Sequence, residues 1–175
     1  THPLEVAYMV SEYNLTTNVI VTAVLHDVVE DSEATVGMIV DAFSWRIAEM
    51  VEDLTRIKFD KKITVAECVN SLFLQHKTET LFIKLFDRFH NLQTLGAMPQ
   101  EKIKVIAEES LLYFSPIALH LALSSINQNI NELCCKHLCI NPLNSSQKTL
   151  QRISQGNSLQ LSLVFQNDIL LNQNR

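Results

Sequence analysis

Three observations predict an all-α fold for this chain of 175 residues. Apolar residues return at i, i+3, i+4 and i+7 over most of its length, strand-like alternation is nearly absent before residue 158, and prolines and threonines stand where helices begin. An apolar content of 47% against 19% charged residues supplies enough core for one domain of ordinary size, with little room for two.

The elements follow in order. Pro3 suits the first turn of a helix over about 3–13, and Thr16 or Thr17 can cap the next, about 18–30, whose run Val19–Val24 reads as buried. Val36, Ile39, Val40 and Phe43 mark a helix near 35–43. Ile47, Met50, Val51 and Leu54 mark one near 44–55, and Phe43 with Trp45 is expected to pack the core. Lys58–Lys62 reads as a charged loop. Val65, Cys68, Val69 and Leu72 then carry a helix near 64–76, with His76 at its exposed end, and Leu81-Phe82-Ile83 lies in a helix near 78–95. Met98-Pro99 and Ser115-Pro116 read as helix starts after short breaks. They open helices near 100–114 and 116–123, and Ile126, Ile130, Leu133 and Cys134 extend the pattern through 124–139.

After about residue 140 the composition changes. Seventeen of the 35 residues from Asn141 to Arg175 are Asn, Gln or Ser, so a domain over 1–140 is expected to be followed by a tail over 141–175. Within it Leu159, Leu161, Leu163 and Phe165 alternate with other residues as a short edge strand would; a loosely packed extension is the other reading.

Charge and composition exclude several functions. Gly37, Gly96 and Gly156 stand far apart, so no clustered-glycine phosphate cradle is present. The net charge of −5 is uneven: residues 1–140 hold 11 Lys or Arg against 18 Asp or Glu, and the remainder holds 3 against 1. An acidic body argues against duplex nucleic acid and suits a cation. Four cysteines without CxxC spacing indicate a reduced, cytoplasmic chain. Cys134, Cys135, His137 and Cys139 could hold zinc, but ordinary thiols on a helix end are the simpler reading. No apolar run is long enough to span a membrane. No secretory segment opens the sequence, and Thr1-His2-Pro3, running straight into a helical pattern, reads as a processed or truncated start.

Two polar clusters follow apolar stretches. In Leu25-His26-Asp27-Val28-Val29-Glu30-Asp31, a continuous helix would place His26 with Glu30, Asp27 with Asp31 and Asp27 with Glu30 on overlapping sectors. Three carboxylates so close repel, and either a bound divalent cation or exposure at a solvated helix end relieves them. In Lys84-Leu85-Phe86-Asp87-Arg88-Phe89-His90-Asn91, Asp87 and Asn91 share a face while Arg88 and His90 are expected to point elsewhere; an ion pair from Asp87 to a nearby Lys or Arg is the alternative to a functional role. With His2, two His and two Asp from three helices make a nitrogen and oxygen set suited to Mn, Fe or Zn.

These residues carry a resemblance. His2-Pro3-Leu4-Glu5-Val6-Ala7, Leu25 to Asp31, Val51-Glu52-Asp53-Leu54-Thr55-Arg56, Ile83 to Asn91 and Phe114-Ser115-Pro116-Ile117-Ala118, in that order over about residues 2–133, resemble the hydrolase domain of RelA/SpoT homologues, an HD-superfamily helix bundle. The resemblance implies a manganese-dependent pyrophosphohydrolase that removes the 3′-pyrophosphate from guanosine tetra- and pentaphosphate, the alarmones of the stringent response. By position, His2, His26, Asp27 and Asp87 would hold the metal, Glu30 and Asp31 would orient or deprotonate water, and Asn91 with Thr94 would lie against the nucleoside.

The chain departs from the family pattern at basic positions. The Arg-Lys pair usual just upstream of the His-Pro motif is not in the sequence, which opens at Thr1, and the stretch between Thr55 and Asp87 is several residues short. Cys68-Val69 stands where a second Arg-Lys pair is common, Gln93 replaces an Arg, and His120 and Ala122 replace an Arg and a Gly. All lie outside the expected metal shell, and no synthetase domain follows. Three readings therefore stand: the hydrolase, alone or with a partner chain supplying the missing segments; a catalytically impaired remnant acting as a nucleotide- or partner-binding module; and an HD phosphohydrolase of another nucleotide.

Overall fold

The computed structural model describes residues 1–58 and 61–139. The expected tail over 141–175, with its candidate strand at 159–165, lies outside the described residues. The described part is built from ten α-helices, a 3-10 turn, a π turn and one minimal β-ladder, and it falls into two compact units that meet in sequence at His90 and Asn91.

The first unit starts with α1 (His2–Ser11), with Pro3 in its first turn, where the missing N–H costs nothing. Next come α2 (Thr17–Leu25) and α3 (Val28–Asp31). The turn between them, at His26-Asp27, divides the single helix expected over 18–30. After it, α4 (Val36–Ala42) is capped by the Thr35 hydroxyl, which accepts from the Met38 amide at 3.3 Å, and α5 (Trp45–Leu54) by the Ser44 hydroxyl, which accepts from Ile47 at 3.3 Å. The stripe Ile47, Ala48, Met50, Val51 and Leu54 is buried. Ile39, Ile47, Ala48 and Val51 form a cluster that Val21, Leu25, Val28, Val29, Val36 and Val40 close over. α2 packs on both α1 and α5.

Phe43 and Trp45 do not join this core: they are 52% and 68% exposed. Trp45 lies two residues before Ile47, about 200° around a helix of 3.6 residues per turn, and so opposite the buried stripe. Phe43 is already past the end of α4, in a non-helical conformation.

The charged loop expected at Lys58–Lys62 contains an antiparallel ladder, β1 (Ile57–Lys58) with β2 (Lys61–Lys62), pairing Ile57 with Lys62 and Lys58 with Lys61. Then α6 (Val65–Leu74) opens on a capping box, with the Thr64 hydroxyl accepting from the Glu67 amide while the Glu67 carboxylate accepts from the Thr64 amide at 2.7 Å. His76 is exposed, as expected, in a left-handed conformation at φ 55°. In α7 (Thr78–Gln93), the rings of Phe82 and Phe86 stack near Tyr13, with centroids 5.0 to 5.2 Å apart. Lys77, just before α7, pairs with Asp53 at 2.6 Å, and Arg46 with Glu79 at 2.8 Å, joining α5 to the start of α7.

In the second unit the turn Leu95–Ala97 leads to α8 (Gln100–Glu109), α9 (Ser115–His120) and α10 (Ser124–Leu138). The break expected before Ser115-Pro116 is absent. Instead the π turn Ser110–Phe114 joins α8 directly to α9, with the Ser115 amide bonded to the Ser110 carbonyl five residues back. Proline crowds the carbonyl four residues before it, and the wider turn lets the chain continue. Asn127 of α10 donates to the Ser115 carbonyl and hydroxyl, both at 2.8 Å. Cys134 and Cys135 are buried in this unit, Cys139 ends α10 exposed, and His137 donates to the Leu92 carbonyl at 3.1 Å, so the thiols behave as core and helix-end residues. Among the described residues, no helix is long and apolar enough to cross a membrane.

Candidate metal centre

The centre lies in the first unit, at the start of α1, the end of α2 and the middle of α7. The apolar α2 carries His26 into the interior, where it is 2% exposed. Its Nδ1 lies 2.8 Å from the Ala23 carbonyl, so Nδ1 bears the proton and donates, and Nε2 is left with a lone pair. That carbonyl is the acceptor a continuing helix would offer to the Asp27 amide. The imidazole takes it, and α2 stops. Asp27 then caps the next turn, its carbonyl accepting from Glu30 at 3.0 Å and Asp31 at 2.9 Å.

Around His26 Nε2, Asp27 Oδ2 stands at 3.0 Å and Asp87 Oδ1 at 3.8 Å. His2 Nε2 stands 3.2 Å from the same Asp87 oxygen and 3.8 Å from Asp27 Oδ2. The ligand atoms of His2, His26 and Asp87 all lie within 4.8 Å of one another. His26 Nε2 is buried and makes no hydrogen bond, although Asp27 Oδ2 lies 3.0 Å away. A lone pair on Nε2 facing carboxylate oxygens is repulsive unless a positive centre, a proton or a bound cation, sits among them. The arrangement fits a divalent cation with nitrogen and oxygen preference, with Asp27 Oδ2 as an added oxygen.

Charge shifts report the same field. Burial opposes a charged His26, yet Asp27 and Asp87 outweigh it and raise its pKa. Burial would raise Asp87 too, but the Lys84 ammonium, with His2 and His26, holds its carboxyl well below the usual range. Lys84, itself 8% exposed, donates to Asp87 Oδ2 at 3.0 Å and is raised against burial chiefly by that partner. The ion pair and the metal-facing geometry, alternatives at the level of sequence, coexist on the two oxygens of one carboxylate.

His90 was expected to point away, but its Nδ1 lies 2.8 Å from His2 Nδ1, and burial together with His2 lowers its pKa. Its spacing of three from Asp87 puts both on one side of α7, a signal that attention to the i+4 partner Asn91 passes over.

Asp27 is the N-cap of α3, so Glu30 and Asp31 follow it at the i+3 and i+4 spacing of one helical turn. The Glu30 carboxylate accepts from the Arg56 amide at 2.6 Å, and Asp31 is exposed at the end of α3. Asn91 lies one turn beyond Asp87 on α7, where the second unit begins. Thr94 donates from its hydroxyl to the Asn91 carbonyl at 3.2 Å.

Comparison with known proteins fits this geometry. A family model described as HD domain matches residues 1–123. The chain is 36% identical over 148 residues to the GTP pyrophosphokinase rsh of Brucella ovis, covering 81% of this chain and 20% of that protein. It is 37% identical over 139 residues to the bifunctional (p)ppGpp synthase/hydrolase SpoT of Escherichia coli K12 and to the guanosine-3′,5′-bis(diphosphate) 3′-pyrophosphohydrolase of Shigella flexneri, covering 76% of this chain and 20% of each. The chain thus spans about a fifth of the length of these relatives. With the family model matching well over half of its length, the chain belongs to the HD-domain family, and its relatives are the RelA/SpoT homologues.

Proposed function

We propose that this chain is a divalent-metal-dependent phosphohydrolase that removes the 3′-pyrophosphate from guanosine tetra- or pentaphosphate, with manganese as the metal. The observation that carries the reading is the buried His26 Nε2, which lacks a directed hydrogen bond and faces His2 and Asp87. The similarity to relatives named as synthase/hydrolase and pyrophosphohydrolase supplies the substrate.

In this reading His2, His26, Asp27 and Asp87 hold the metal, which when bound lowers the pKa of a water and offsets charge on phosphate oxygens. Lys84 occupies the second oxygen of Asp87 and keeps the carboxylate charged. Glu30 and Asp31 accept the proton of the attacking water, with the Arg56 amide holding one Glu30 oxygen in place. The water oxygen joins the released pyrophosphate, the bond from phosphorus to the 3′-oxygen breaks, and that oxygen takes up a proton. Asn91 and Thr94 orient the nucleoside. An acidic body can accept a polyanion because the metal intervenes.

A second reading, a binding module without turnover, is favoured by Cys68. It is buried on α6, with its thiol 3.8 Å from the Asp53 carbonyl, so this position presents no positive charge to a phosphate. The test is release of pyrophosphate from guanosine tetraphosphate by the purified chain with manganese, beside His26→Ala and Asp87→Ala. Turnover lost in both variants supports the hydrolase. Metal bound without turnover of this substrate or another nucleotide supports the module. No metal bound overturns the metal centre, and the hydrolase with it.

A further inference from the structure

His2, His26 and Asp87 each have two polar ends, and in each the end turned away from the centre is occupied. His26 Nδ1 meets the Ala23 carbonyl at 2.8 Å, and Asp87 Oδ2 meets Lys84 Nζ at 3.0 Å. The corresponding partner of His2 is another imidazole: His90 Nδ1, at 2.8 Å from His2 Nδ1. A contact that short between two nitrogens needs a proton between them, so one ring donates and the other accepts.

The direction follows from the other end of His2. Its Nε2 lies 3.8 Å from Asp27 Oδ2 and is hydrogen-bonded to Asp87 Oδ1 at 3.2 Å; a carboxylate only accepts, so without a cation Nε2 carries the proton and Nδ1 accepts from His90, and a cation bound on that side reverses both. For Nε2 to offer its lone pair there, His2 must carry its proton on Nδ1, and that proton needs an acceptor. We propose that His90 is that acceptor: a positioning residue that fixes the tautomer and ring orientation of His2 by receiving the Nδ1 proton on its own Nδ1. His90 then carries its proton on Nε2. It does for His2 what a backbone carbonyl does for His26, and its place on α7, three residues past Asp87, ties the His2 ring to the helix that supplies the carboxylate.

The role rests on the metal-centre reading for its purpose, and the imidazole pair itself can be tested with and without metal. Ring-nitrogen NMR, at a pH where the imidazoles are neutral, reports which nitrogen of His2 bears hydrogen in the metal-free protein and in the protein loaded with zinc(II), a diamagnetic stand-in for manganese(II). The native chain is expected to pass from the Nε2–H form without metal to the Nδ1–H form with zinc(II), with a scalar coupling to His90 Nδ1 across the hydrogen bond in both. In the zinc(II)-loaded His90→Ala variant the His2 Nδ1–H should lose its downfield, exchange-protected signal, whereas His90→Asn, whose amide oxygen can occupy the place of Nδ1, should keep it. Manganese(II) binding, followed by the loss of the free-ion spin-resonance signal, should weaken by about 10- to 100-fold in His90→Ala, the usual cost of losing an orienting partner, and recover most of that loss in His90→Asn.

An unchanged His2 Nδ1–H signal together with native manganese affinity in His90→Ala would overturn the proposal. So would equal losses in the Ala and Asn variants, which would point to packing. If the native chain binds no manganese, the metal reading fails, and the coupling between the two rings alone decides whether His90 is the partner of His2; its absence overturns the proposal.

Discussion

Lys84 and Asp87 form a buried pair three residues apart on α7, the ammonium 3.0 Å from Oδ2, while the other oxygen of the same carboxylate, Oδ1, looks toward Nε2 of both His2 and His26. One side chain is thus shared between the structure of the helix and the chemistry of the centre.

Removing the ammonium takes away the carboxylate's strongest stabilising partner. Lys84→Met is expected to destabilise the metal-free chain by about 3 kcal/mol, the cost of breaking a buried ion pair from one side. The double variant Lys84→Met/Asp87→Asn should recover much of that loss. Chemical denaturation measures both; equal destabilisation of the single and double variants would contradict the pairing.

The two shifted groups bound a pH window. Asp87 is depressed in the folded state, so its contribution is present above the ordinary carboxylate value of about 3.9 and lost as pH falls toward its folded value. His26 is raised, so its contribution is present below about 6.5 and lost as pH rises through its folded value. The metal-free chain should therefore be most stable between these limits. In His26→Gln the decline on the alkaline side should flatten, which thermal melts across pH would reveal.

Cation binding should act in the opposite sense on the alkaline side, since a metal needs the neutral ring of His26. Manganese at about a hundred times its dissociation constant is expected to stabilise the folded chain by about 2.7 kcal/mol, a rise of several degrees in Tm. Chelator should reverse the rise, and Asp87→Asn should abolish it. A Tm indifferent to manganese in the native chain would contradict the centre.

Trp45 is the sole tryptophan, and it is exposed. Iodide should quench its fluorescence efficiently, and Trp45→Ala should change stability by no more than about 0.5 kcal/mol. Val51→Ala, two turns along on the buried stripe of α5, should cost about 1 to 2 kcal/mol. Weak quenching would return Trp45 to the core.

By itself, the sequence determined where most helices run, because a period of 3.6, Pro3, Thr64 and the capping hydroxyls are local properties of the chain. It also singled out His26, Asp27 and Asp87, since ionisable residues following apolar runs stand out without any coordinates, while His2 gained meaning only beside them and through the resemblance of the ordered motifs. Contacts between separate segments were decided only in three dimensions. The end of α2 depends on a ring taking a backbone carbonyl, the approach of His90 to His2 links residues 88 apart in sequence, and the division of the Asp87 oxygens depends on which groups face each of them. The same limit applies to Trp45, whose apolar character suggests a core position that the direction of α5's buried stripe denies it. Periodicity reports which face of a helix is buried; it does not report which hydrogen-bond acceptor a buried imidazole will choose.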